Sequence, residues 1–264
     1  MIILEKHKKM EIGTVVFDFD GTISTLRCGW ERVMGPLMTE YISGGNPTKE
    51  IEEMVKDYID RSTGIQTIAQ MKWMAQTVEQ FGMNPSAPSD PWFYKEEYNR
   101  RLMAEVAKRR DEAANGAREK YLIAGSEEFL KKLRERGIRM LAASGTDECD
   151  VKKESAALGI DRYFEEIAGA KPLSEDCSKQ ATLQRLMTEG ANGKGILVIG
   201  DGPVEIKLGR EFKALTLGIA SDEKQLRGYN EAKKKRLTAG AHALVDCFED
   251  TDRLITWMED GCNE

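Results

Sequence analysis

The stretch Thr14-Val15-Val16-Phe17-Asp18-Phe19-Asp20-Gly21-Thr22 decides how the chain is read. Its apolar run is rich in valine and phenylalanine and stops at Asp-Gly, which predicts a buried parallel strand over Thr14–Phe19. Active sites of α/β sheets gather at the carboxyl ends of such strands, and this one ends on two carboxylates followed by Gly-Thr. Asp18 and Asp20 would repel each other in one cleft, so a cation or a shared proton is required between them. Taken alone, the pattern is also met by a capping Asp and a turn Asp.

Similar apolar runs recur at Ile138–Ala143, Ile196–Ile199, Ala214–Ile219 and Ala243–Val245, with a fainter one at Phe164–Ala168. Helical patterns lie between them. Ser126 is placed to cap a helix carrying Phe129, Leu130 and Leu133, with Gly137 at its end. Ser178 is placed to cap another, carrying Ala181, Leu183, Leu186 and Met187. Strands that alternate with helices from residue 118 onward predict an α/β parallel sheet.

Residues 24 to 117 hold no strand pattern. Trp30, Val33, Met34, Leu37, Met38, Tyr41 and Ile42 recur at helical spacing and stop at Gly44-Gly45. Ile51, Met54, Val55, Tyr58 and Ile59 repeat the period after Asn46-Pro47. A third helix is expected over Ile65–Phe81 and a long charged one from Trp92 to Ala114, after a loop with three prolines. The methionine and aromatic stripes read as packing between these helices. The expected organisation is therefore an α/β core over 1–23 and 118–264, with a helical cap over 24–117.

Composition narrows the class of function. The chain has 264 residues, is 41% hydrophobic and 32% charged, and carries a net charge of -6, which suits a globular enzyme and disfavours a nucleic-acid binder. No apolar stretch approaches a membrane span, and Met1–Glu11 lacks the apolar run of a signal peptide. The five cysteines are scattered and include no CxxC pair, so neither a disulfide framework nor a zinc site is expected and a cytoplasmic setting is. Only His7 and His242 are present, which leaves the chemistry to carboxylates. Lys233-Lys234-Lys235-Arg236 reads as a solvated helix face, and Glu259–Glu264 as a frayed end.

Three further segments stand beside the first. Met140-Leu141-Ala142-Ala143-Ser144-Gly145-Thr146 is a strand ending in a hydroxyl and a glycine, which could donate to a phosphate or simply cap a helix. Val198-Ile199-Gly200-Asp201-Gly202-Pro203-Val204-Glu205 sets two acids around a Gly-Gly-Pro turn; they could be hard oxygen ligands for Mg²⁺, or a turn Asp and a solvent-facing Glu. Lys179 lies at a helix start, where a cation is unfavourable unless an anion compensates it. Lys171, before Pro172, is the competing lysine, and Lys179 is preferred.

Taken in order, these motifs resemble those of the haloacid dehalogenase-like superfamily of phosphatases, over roughly residues 12–23 and 118–248. The resemblance implies a Rossmann-like core with the cap inserted between the first and second motifs. It implies that Asp18 is the nucleophile and Asp20 the general acid and base. Mg²⁺ would be bound by Asp18, the Asp20 carbonyl, Asp201 and Glu205, where Glu replaces the more common Asp. Ser144, Gly145, Lys179 and backbone N–H groups near Gly21 would hold the phosphate. A sugar phosphomutase is the enzymatic alternative, and a phospho-accepting module without catalysis is the alternative of another class. The size of the cap points to a small phosphorylated substrate, a sugar phosphate or a phosphoglycolate-like acid. Arg27 and Trp30 lie nearest the cleft in sequence; the alternative for both is a hinge and packing within the cap core, the preferred reading for Trp30. Arg100, Arg101, Lys108, Arg109 and Arg110 would form either its mouth or, the preferred reading, a solvated basic face.

Overall fold

The computed structural model describes residues 1–176, 178–189 and 195–261. A mixed sheet of seven strands is built from β1 (Ile2–Ile3), β2 (Ile12–Phe17), β3 (Arg139–Asp147), β4 (Glu166–Ala170), β5 (Gly195–Gly200), β6 (Leu215–Ile219) and β7 (Ala243–Val245). Their order is β1-β7-β6-β5-β2-β3-β4. All neighbours are parallel except β1, which runs antiparallel to β7 with Ile2 opposite Leu244.

β2 sits between β5 and β3, so both of its faces are covered. Val15 and Phe17 pack on one face with Phe129 and Leu133 of α5 (Ser126–Glu135) and Leu254 and Met258 of α10 (Thr251–Asp260). Val16 packs on the other with Leu183 and Leu186 of α7 (Ser178–Thr188). α6 (Glu148–Ala157) joins the first layer; α8 (Pro203–Glu211) and α9 (Glu231–Leu237) lie on the second. Each such buried side chain contributes about 1.5–3 kcal/mol of transfer free energy, which is why the central strands read as continuous apolar runs.

Several expectations are corrected. The fainter strand falls at Glu166–Ala170, because a 3₁₀ turn at Asp161–Tyr163 turns Phe164 in against Phe17 at 5.9 Å instead. β3 runs on through Ser144–Thr146 to Asp147, with a register shift after Ala143. Ser126 does not cap α5: Gly125 holds the cap position, and the Ser126 hydroxyl donates to the Ile123 carbonyl at 2.6 Å. The capping role expected of the Ser178 side chain, and residues 262–264 of the expected frayed end, lie outside the described residues. The described cysteines, Cys28, Cys149 and Cys247, are unbridged. No helix among the described residues is long and apolar enough to cross a membrane.

Between β2 and α5 the chain forms four α-helices, α1 (Glu31–Ser43), α2 (Lys49–Arg61), α3 (Thr67–Phe81) and α4 (Pro91–Glu112). Local signals set their ends. Gly44 and Gly82 take the left-handed C-cap of α1 and α3, while Thr48 and Asp90 accept N-terminal N–H bonds of α2 and α4. Met34, Leu37, Met71, Met74, Tyr94 and Leu102 belong to a core of their own. On the face toward the sheet, Lys95 Nζ meets Asp147 at 2.5 Å and Asn99 donates to the same carboxylate at 3.1 Å. Gln66 donates to the Asp176 carbonyl, and Arg109 donates to the carbonyls of Leu26 and Cys28 in the turn leading into the helices.

Candidate active site

The carboxyl ends of β2, β3 and β5 converge on one cleft of about 90 Å³. Asp18 is the first residue past β2, and its N–H is still bonded to Ile199 in β5 at 2.8 Å. The sheet therefore fixes its backbone. Its carboxylate is buried, meets Lys179 Nζ at 2.8 Å through Oδ1, and accepts from Thr22 Oγ1 at 3.3 Å through Oδ2. Burial first, and then the neighbouring Glu205 and Asp201 carboxylates, push the Asp18 carboxyl well above its ordinary range against the pull of Lys179.

Asp20 faces the same cleft. Its Oδ2 accepts from Ser144 Oγ at 3.2 Å and Thr146 Oγ1 at 2.9 Å, while its Oδ1 is buried without a hydrogen-bond partner. Arg27 Nε lies 3.8 Å from that oxygen. The Arg27 guanidinium forks onto buried Glu154 at 2.6–3.2 Å. Three elements thus aim Asp20: β3 by two hydroxyls, the segment entering the helical insertion by Arg27, and α6 by Glu154.

Gly21 is required here. Its φ is +76°, and a Cβ would run into the Asp201 carboxylate, so the turn after β2 can approach β5 only without a side chain. Its N–H is bonded to the Ser24 carbonyl at 2.8 Å, so that particular donor is committed to the turn rather than to a phosphate. Gly145 is pressed from the other side, since its Cβ would lie 3.0 Å from the Ile65 carbonyl. Residues 62–66, joining α2 to α3, thereby roof the cleft.

Lys179 opens α7 as the sequence places it, fully buried, and pairs with both Asp18 and Glu205 while donating to the Gly64 carbonyl at 3.2 Å. Burial opposes its charge, but the two carboxylates outweigh burial and hold it protonated. Lys171 is exposed and lines a different depression. Asp201 and Glu205 follow β5 and are both buried, contrary to a solvent-facing Glu. Ser144, Gly145, Lys179, Asp18, Asp20 and Asp201 all line the one cleft, with Glu205 beside it on Lys179.

One part of the site was not anticipated. Lys233, expected on a solvated face, is buried, and its Nζ meets Asp201 at 2.5 Å and Glu223 at 2.6 Å. The basic run hid an amphipathic pattern: Lys233 and Leu237, one turn apart, form the buried side of α9, while Lys234 and Lys235 do not. Arg27 is a committed ion-pair partner rather than a hinge residue. Conversely, none of Arg100, Arg101, Lys108, Arg109 and Arg110 lines the cleft. Arg100 and Arg101 pair with Glu97, and Lys108 with Glu105.

The donor set fits a hard divalent cation. Four buried or largely buried carboxylates, Asp18, Asp201, Glu205 and Glu223, meet two ammonium groups, and Glu205 Oε2 is a buried acceptor with no hydrogen bond. Among the described residues no three such side chains meet at ligand distance. Lys179 stands between Asp18 and Glu205, and Lys233 holds one oxygen of Asp201.

Burial drives Glu154 up to about 7 despite Arg27. Its folded pKa exceeds the unfolded one, so the folded chain keeps a proton that the unfolded chain releases. The group therefore subtracts stability as pH rises from about 4.5 to about 7. In Glu154→Gln the fall of unfolding free energy over that window should be smaller than in the wild type, as read by urea titration at several pH values. An unchanged slope would contradict the burial argument.

Comparison with known proteins bears on the family and the fold. A family model described as haloacid dehalogenase-like hydrolase matches residues 12–213. No curated protein matches the chain. A β-phosphoglucomutase from Clostridium difficile shares the fold with TM-score 0.60 at 18% identity, over 93% of this chain and 99% of its own. A "predicted phosphatase" from Clostridium acetobutylicum gives 0.57 at 15% identity, over 93% and 99%. A "predicted phosphoglycolate phosphatase" from Haemophilus somnus gives 0.52 at 18%, over 92% and 98%. At these identities the likeness is one of fold.

Proposed function

Since this chain belongs to the haloacid dehalogenase-like hydrolases, we propose that it is a magnesium-dependent phosphatase acting on small phosphomonoesters by way of Asp18. The observation that carries this reading is the buried Asp18–Lys179 pair at the end of β2, with Asp20 aimed into the same cleft by Ser144 and Thr146.

A carboxylate oxygen of Asp18 attacks phosphorus, and the bond from phosphorus to the ester oxygen breaks. Asp20 delivers its proton to that departing oxygen. It then takes a proton from the water that attacks the phosphorylated Asp18, releasing inorganic phosphate and restoring both residues. Lys179 offsets charge on the phosphoryl oxygens, and Ser144 keeps Asp20 oriented between the two half-reactions. Asp18, the Asp20 carbonyl, Asp201 and Glu205 would hold Mg²⁺, which supplies the positive charge that lets an ionised Asp18 approach a phosphate dianion. The helical insertion acts as a cap, with residues 62–66 excluding water from the first half-reaction.

The test is hydrolysis of p-nitrophenyl phosphate by the purified chain with Mg²⁺. Turnover that EDTA abolishes and Mg²⁺ restores is expected. Failure to hydrolyse any phosphomonoester would contradict the phosphatase reading, and turnover indifferent to EDTA would remove the metal from it.

A further inference from the structure

We infer that the leaving group this cleft accepts is uncharged: a small phosphorylated alcohol or sugar binds, and a phosphorylated acid of the same size is turned away. The inference rests on the phosphatase reading and divides its substrates by charge.

The cations at the cleft are already committed. Among the described residues that line it, only Arg27 and Lys179 are basic. Arg27 engages Glu154 through Nε and one terminal nitrogen, and the same nitrogen lies 3.5 Å from Asp150. Lys179 bridges Asp18 and Glu205, and is the group that meets the phosphoryl oxygens. Lys233, just behind the lining, bridges Asp201 and Glu223. Each ammonium or guanidinium thus answers at least two carboxylates, and Glu223 itself lines the cleft.

Apart from Arg27, the wall that the helical insertion gives the cleft is neutral: Trp30, Thr63, Thr67, Gln70 and Tyr98, with residues 64–65, line the same cleft as Asp18 and Asp20. A hydroxyl on the leaving group finds hydroxyl and amide partners on such a wall. A carboxylate there would be desolvated with no cation to receive it, within reach of Asp20 and Glu223, and both effects oppose its binding.

Glycerol phosphate and phosphoglycerate test this directly, because they differ chiefly in a hydroxymethyl group against a carboxylate. Both are measured as competitive inhibitors of p-nitrophenyl phosphate hydrolysis, so neither needs to be turned over. The alcohol is expected to bind about 100-fold more tightly than the acid, the size of a like-charge penalty. Thr67→Arg, which adds a cation to the neutral wall, should narrow that ratio by improving the acid; a thermal melt checks that the variant is folded. Equal binding, or preference for the acid in the wild type, would overturn the inference. If p-nitrophenyl phosphate is not hydrolysed, the phosphatase reading fails, and calorimetric titration of the same two compounds still decides whether the cleft sorts ligands by charge.

Discussion

Asp18→Asn should leave no measurable turnover, a loss of about 10⁴-fold or more, because an amide cannot form the bond to phosphorus that the first half-reaction requires. Asp20→Asn should behave differently, and the leaving group is what separates the two. An alkyl alkoxide needs a proton to depart, so an alkyl phosphate should lose about 10²–10⁴-fold. p-Nitrophenolate departs from phosphorus unaided, so transfer of its phosphoryl group to Asp18 should fall far less. The measurement is kcat/KM for both esters in both variants. Equal losses for Asp20→Asn on the two esters would contradict the proton transfer assigned to it, and residual steady turnover by Asp18→Asn would contradict the nucleophile.

Lys179→Ala should be nearly as damaging, and in two ways. The side chain is buried between Asp18 and Glu205, so its removal leaves two carboxylates facing each other without a counter-charge. Breaking a buried pair in this manner costs about 3–5 kcal/mol of stability, and the phosphoryl oxygens lose their cation as well. Lys171→Ala, at an exposed position away from the cleft, should change neither quantity. Urea unfolding in EDTA reads the stability and kcat/KM reads the chemistry. The reverse order between the lysines would move phosphate binding to Lys171.

What could be read from sequence is what obeys local rules. The strands β2, β5, β6 and β7 are apolar on both faces because the sheet is covered on both faces, so their composition gives them away. The helices of the insertion announce themselves through period, capping residues and glycine stops. Asp18, Asp20, Ser144, Lys179, Asp201 and Glu205 sit at strand ends and helix starts in a fixed order, and the fold brings all of them to one place. β1 escaped notice because two residues give no period, and it exists only by pairing with β7.

Long-range charge pairing escaped it for another reason. Glu154 lies on a helix whose sequence shows no special feature, and only packing brings it under Arg27, 127 residues away. Lys233 was masked by its basic neighbours, and Thr146 by the continuation of β3 beyond the expected strand end. These residues aim or neutralise the carboxylates of the cleft, which the motifs name without saying what holds them in place.

The central claim is that phosphorus is transferred to Asp18. Rapid acid quench during turnover, followed by proteolysis and mass spectrometry, reads it directly. The account predicts a phosphoryl adduct on the peptide that contains Asp18, absent from Asp18→Asn and accumulating when the second half-reaction is slowed by Asp20→Asn. A phosphoryl adduct mapped to any other residue, or its complete absence under conditions of steady phosphate release, would contradict the account.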